Sequence, residues 1–241
     1  MNATPDKRKY RNNLAFVEQG FRACWQNTHD LITAAKQLLD SNLHAPALSL
    51  SVLALEELGK LCAIDGLLFA RHEDHKAKLF KDATKSHDAK LGIIVLLPLF
   101  LGNLMQADPR HGKDRKYAAA SVINMRQLQA EGNAVLERLG EDGFRALDRY
   151  KQHGFYASAT DRGLKAPRDN VDPSLARLVY QLAWRATTSV DFLLKGGNLE
   201  RYLQNAQAIR DKLTEAAHQA LEAAGEHEAQ RLFGKQDDER A

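Results

Sequence analysis

The stretch that most constrains this chain is Ala45 to Ala70, APALSLSVLALEELGKLCAIDGLLFA, which is almost wholly apolar yet carries Glu56, Glu57 and Lys60 at its middle. A helix that is apolar all round belongs inside a bundle, because it has no polar face to give to water. Charges in such a place need partners, since desolvating an unpaired ion is costly. On a helix, Glu56 and Lys60 are i,i+4 neighbours in the favourable order and Glu57 and Lys60 are i,i+3, so one lysine is placed to serve both carboxylates. At about 3.6 residues per turn, Glu56 and Glu57 point about 100° apart, so one of them must look toward another helix. Gly59 costs helix stability relative to alanine, and a glycine there usually permits close backbone approach. The group reads equally as an ion cluster that fixes helix register and as a functional site.

Helices are expected on both sides of it. From Leu14, apolar or small residues recur at Val17, Phe21, Cys24, Thr28, Leu31, Ala35 and Leu38, which predicts an amphipathic helix ended by Asp40-Ser41-Asn42. Pro46 fits the first turn of the central helix, where its missing N–H does no harm, so the two helices are antiparallel neighbours across a short turn. A third helix is expected from Thr84 to Leu104, kinked or ended near Pro98. Further helices are expected over Lys116 to Leu139, Phe144 to Gln152, and from an Asp172 N-cap with Pro173 to Leu194. Gly196-Gly197 closes that one, and a last helix follows over Asn198 to Ala224. Residues 106–115 and the Gly-, Pro- and Asp-rich stretch from His153 to Asp172 read as loops, the second long enough to suggest function. No run of alternating β-branched residues occurs, so the fold class is all-α: an antiparallel helical bundle with additional C-terminal helices. Residues 1–224 are expected to form a single domain, with 225–241 a polar, frayed tail.

Composition narrows the setting. At 241 residues, 44% hydrophobic and 27% charged, the chain can bury a good core, and a net charge of +3 permits an anionic partner without arguing for one. Cys24 and Cys62 sit in apolar surroundings and read as reduced core residues of a cytoplasmic protein. The first residues hold no apolar core of a secretory signal, and Leu91 to Leu104 is too short to span a bilayer, so no membrane partner is expected.

Several polar groups could carry chemistry. His87 and Lys90 lie i,i+3 where the third helix turns apolar, and if that helix packs beside the central one they reach its glutamates. An imidazole beside a carboxylate suits acid/base work or plain structural pairing. In RYKQHGFY, residues 149–156, Arg149, Lys151, His153 and Tyr156 bring a phosphate-binding cation, a titratable base and a hydroxyl to one helix end, although cations also favour a helix C-terminus for purely structural reasons. RHEDH at 71–75 offers His72, Glu73, Asp74 and His75, whose spacing matches no usual zinc pattern and reads better as a solvated loop. Paired Glu-x-x-His helices, glycine-rich phosphate loops and Gly-x-Ser-x-Gly elbows are absent, so no metal and no cofactor is expected.

Taken in order, ALSLSVLALEELGK, SHDAKL about 30 residues on, YKQHGFY and the DRG and APRD segments resemble the AbiV family of bacterial abortive-infection proteins, placed in the HEPN superfamily. The resemblance covers roughly Ala15 to Ser189, and its most specific motifs are EExGK and HxxK. It implies a HEPN-like helical bundle that commonly dimerises. It also implies a phage-defence role with a phage protein as its trigger, in a superfamily where many members act as metal-independent endoribonucleases with an Arg-x4-6-His motif. Carried onto this chain, Arg149 and His153 are the nearest catalytic candidates, with Tyr156 where a tyrosine often follows, but only three residues separate Arg149 from His153. The groups distinctive of the family itself match Glu57, Lys60, His87 and Lys90. Two readings follow: an RNA-cleaving effector, or a non-catalytic helical dimer that binds and blocks a phage or translation component.

Overall fold

A computed structural model describes residues 14–70, 81, 91, 115–140, 143, 145–160, 163–194 and 198–212. Seven helices are described: α1 (Leu14–Asp40), α2 (His44–Phe69), α3 (Arg115–Leu139), α4 (Arg145–Phe155), α5 (Pro167–Asn170), α6 (Pro173–Leu194) and α7 (Asn198–Lys212). The class is all-α, as the sequence implies. Between α4 and α5 lies one small addition, an antiparallel hairpin of strands β1 (Ser158–Thr160) and β2 (Gly163–Lys165) in the register Ser158↔Lys165, Ala159↔Leu164. Three-residue strands are too short to show an alternating pattern, so the sequence reads as loop there.

The elements form where the local chemistry puts them. Along α1, Val17, Phe21, Cys24, Thr28, Ile32 and Ala35 are buried, one stripe facing the core. The helix ends in a Schellman turn: Asn42 takes a left-handed φ of 58°, the Asn42 N–H donates to Leu39 O at 3.0 Å, and the Leu43 N–H donates to Leu38 O at 2.8 Å. Asparagine tolerates that conformation better than a bulkier residue does. At the start of α6, Asp172 Oδ1 accepts from the Ser174 N–H at 2.8 Å, with Pro173 in the first helical position. Arg138 at the end of α3 pairs with the same aspartate, and its guanidinium with the Ser174 N–H holds the Asp172 carboxyl down to about 2.

α2 is the axis of the core. It packs against α1, α4, α5, α6 and α7, and its Leu48, Val52, Leu55, Leu58 and Leu61 are all buried. That explains why it is apolar on every side. Polar ties fix the surrounding helices: Trp25 Nε1 on α1 donates to Asp191 Oδ1 on α6 at 2.8 Å, and Arg185 Nε on α6 donates to Glu131 Oε1 on α3 at 2.7 Å. Leu199, Tyr202, Leu203 and Ala206 of α7 are buried in the same cluster, so this helix belongs to the bundle. The expected third helix, with His87 and Lys90, lies outside the described residues except for Leu91, which is buried in the core. His72, Glu73, Asp74 and His75, and the chain after Lys212, lie outside them as well.

Candidate functional site

The two adjacent glutamates of α2 part company as their angular separation requires. Glu57 pairs with Lys60 on the same helix, both side chains partly exposed. Glu56 turns toward α4, where its Oε1 accepts from Lys151 Nζ at 2.6 Å. Asp148, one turn earlier on α4, lies with its Oδ1 2.7 Å from the same ammonium. Burial alone would lower the Lys151 pKa; the carboxylates of Asp148 and Glu56 reverse this and leave it above its ordinary value. Lysine 60 is therefore paired locally, and the cation that reaches Glu56 comes from a helix far away in sequence.

This cross-helix pair fixes the rotation of α4. Leu147, Lys151 and Gly154, spaced by four and three, form the stripe turned to the core. Ser49 Oγ on α2 donates to Lys151 O at 2.8 Å. At Gly154 a Cβ atom would stand 2.0 Å from Ser49 Oγ and 2.5 Å from Ala45 O, so only glycine allows the end of α4 to lie this close to the start of α2. With the core side so defined, Arg149, Gln152, His153, Phe155 and Tyr156 fall on the exposed side.

The structure thus sorts the expected site residues. Arg149 and His153 share the outer face of α4 at i,i+4, neighbours on a helix surface, with Tyr156 one turn on. Lys151, which the sequence groups with them, points the opposite way and is a core ion. Glu57 and Lys60 lie on α2 and are paired with each other. His87 and Lys90 are outside the described residues, so the EExGK group is placed and the HxxK group is not. Among the described residues, no three His, Cys, Asp or Glu side chains are grouped to hold a metal ion, and no helix is long and apolar enough to cross a membrane.

One further polar pair escapes sequence reading. Asp65 near the end of α2 is buried, and its Oδ1 accepts from the Tyr202 hydroxyl of α7 at 2.5 Å. Burial pushes the Asp65 carboxyl up to about 7 despite that hydrogen bond. The free thiols nearby are quiet: burial raises Cys24 to about 11, and burial followed by the Asp65 charge raises Cys62. The signal for Glu56 was present, because a charge on an all-apolar helix demanded a distant cation and Lys151 sits on the apolar stripe of α4. For Asp65 and Tyr202, 137 residues apart, no such signal exists.

No curated protein and no solved structure matches this sequence. The HEPN family model described as AbiV matches residues 16–188, from the first turn of α1 into the last two turns of α6. That span takes in both the α2 glutamates and the Arg149/His153 face, and is well over half the chain. By this match the chain belongs to the AbiV family of the HEPN superfamily, the abortive-infection proteins of anti-phage defence.

Proposed function

We propose that the protein is a metal-independent endoribonuclease whose reacting groups are Arg149 and His153 on the outer face of α4. The observation that carries this reading is that a guanidinium and an imidazole lie one turn apart on an exposed face whose opposite side is anchored by the Glu56–Lys151 pair. Arg149 binds the non-bridging oxygens of a phosphodiester. The neutral His153 imidazole takes the proton from the ribose 2′-hydroxyl, whose oxygen attacks phosphorus. The bond from phosphorus to the 5′-oxygen breaks, leaving a 2′,3′-cyclic phosphate, and the departing oxygen takes a proton from solvent. Tyr156 borders the same face.

On this reading the protein works in the cytoplasm as a homodimer, arrests expression by cutting RNA, and is set off by a phage component. Glu57 and Lys60 then stand apart from the reacting pair, tied to each other on α2. The three-residue separation of Arg149 and His153 favours the second reading, a non-catalytic dimer that blocks a phage or translation component.

End-labelled RNA incubated with purified protein in excess EDTA tests the choice. Cleavage giving 2′,3′-cyclic phosphate ends is expected, reduced about 10²- to 10⁴-fold by His153→Ala. Both Arg149 and His153 are exposed, so His153→Ala and Arg149→Ala should keep the wild-type circular dichroism. Wild-type cleavage that survives both substitutions removes the site assignment.

A further inference from the structure

Four of the large apolar side chains that remain exposed, Leu43, Phe155, Tyr156 and Leu164, belong to three neighbouring segments: the start of α2, the end of α4 and the hairpin. The close approach at Gly154 brings the first two together, and the hairpin follows directly on α4. Tyr156 is 65% exposed and Leu164 79% exposed, values that a folding core would not leave. Phe155 and Tyr156 are in edge contact, with ring centroids 6.4 Å apart and planes at 68°, so each keeps a face for another flat group.

Exposed cations stand on the neighbouring elements. Lys165 pairs through its backbone with Ser158, two residues past Tyr156, and its side chain is exposed. Arg168 stands on α5, which packs on both α4 and α2; its side chain is 88% exposed and lies 3.7 Å from Asp169. Arg149 is exposed earlier on α4. Flat apolar faces beside the exposed Lys165 and Arg168 complement a chain of unstacked bases joined by phosphates.

We propose that the end of α4, the hairpin and α5 form a platform for single-stranded nucleic acid, with Phe155 and Tyr156 stacking on unpaired bases while Lys165 and Arg168 hold the adjoining phosphates. The proposal rests on reading α4 as the RNA-acting element and adds the form of the substrate: unpaired, and gripped through its base faces. A duplex keeps those faces inside its stack and offers the aromatic rings nothing to cover.

Fluorescence anisotropy of the full chain with a labelled single-stranded 2′-O-methyl oligonucleotide, which has no free 2′-hydroxyl to react, tests binding apart from cleavage. Single strand is expected to bind more tightly than the same sequence as a duplex. Tyr156→Ala should weaken single-strand binding roughly tenfold, the scale of one stacked base, while Tyr156→Phe retains it. The double variant Lys165→Ala/Arg168→Ala should reduce the log–log salt dependence by about 1. No binding, equal affinity for duplex, an unaffected Tyr156→Ala protein, or a Tyr156→Ala protein whose dimer dissociates in sedimentation would each overturn the proposal. Binding that follows this pattern without RNA cleavage sinks the nuclease reading alone; cleavage lost in His153→Ala with no effect of Tyr156→Ala on affinity sinks the platform alone.

Discussion

The middle and the far end of α2 each bury a carboxylate, and they solve the resulting problem in opposite ways. At the α4 crossing, Glu56 meets the Lys151 ammonium and remains part of an ion cluster with Asp148. At the α7 crossing, Asp65 meets the Tyr202 hydroxyl, and burial draws its titration up to about 7. A cation offsets part of the cost of burying a carboxylate, whereas beside a phenol burial still draws the Asp65 carboxyl far above its ordinary range. The first crossing orients the candidate site, while the second fastens a helix beyond the family match.

The largest expected effect breaks the first crossing. Glu56→Ala leaves Lys151 buried with less of its compensation and should cost about 3–5 kcal/mol in urea denaturation. A paired Glu56→Gln/Lys151→Met replacement should recover much of that loss, since it strands no charge. A cost under about 1 kcal/mol for Glu56→Ala would mean that the pair is not buried in solution.

Next in size is the pH response of the second crossing. Asp65 titrates near its ordinary 3.8 in the unfolded chain and at about 7 in the fold, so the fold binds this proton more tightly. Its contribution is therefore complete below about pH 4 and is lost as pH rises through about 7, a change on the order of 4 kcal/mol. Asp65→Asn keeps an acceptor for Tyr202 and should flatten that part of the stability curve. If wild type and Asp65→Asn show the same pH dependence between 4 and 8, Asp65 ionises as an ordinary carboxylate.

The smallest effect is expected from Glu57, the partly exposed neighbour. Glu57→Ala breaks only a local pair with Lys60 and should cost no more than about 1 kcal/mol. Thermal melts of the two alanine variants side by side make the comparison direct: the residues are adjacent in sequence and should differ several-fold in cost. A Glu57→Ala protein that melts normally yet loses protection against phage would give Glu57 a functional role.

Much of this was legible in the chain because it is written locally. The stripe of α1, the stop at Asn42, the Asp172-Pro173 start of α6 and the divergence of Glu56 from Glu57 all follow from spacing and turn chemistry within a few residues. The hairpin was not, because three-residue strands carry no periodicity. Lys151 was misgrouped, since RYKQHGFY shows a cluster of polar types and not which of them faces inward; the apolar stripe of Leu147 and Gly154 decides that. The Asp65–Tyr202 bond depends on how α7 docks, a long-range outcome that neither residue announces.

The interleaving on α4 also bears on how this segment can change over evolutionary time. Lys151 and Gly154 grip α2 while Arg149 and His153 face away, so the two sets alternate along barely more than one turn. An inserted residue between Arg149 and His153 would bring the pair toward the longer superfamily spacing but rotate one set by about 100° relative to the other. Either Lys151 would leave Glu56, or a side chain would replace Gly154 against Ser49. The three-residue gap is therefore held in place by the packing beneath it, which bars insertions and deletions while placing no packing constraint on which side chains the outer face carries.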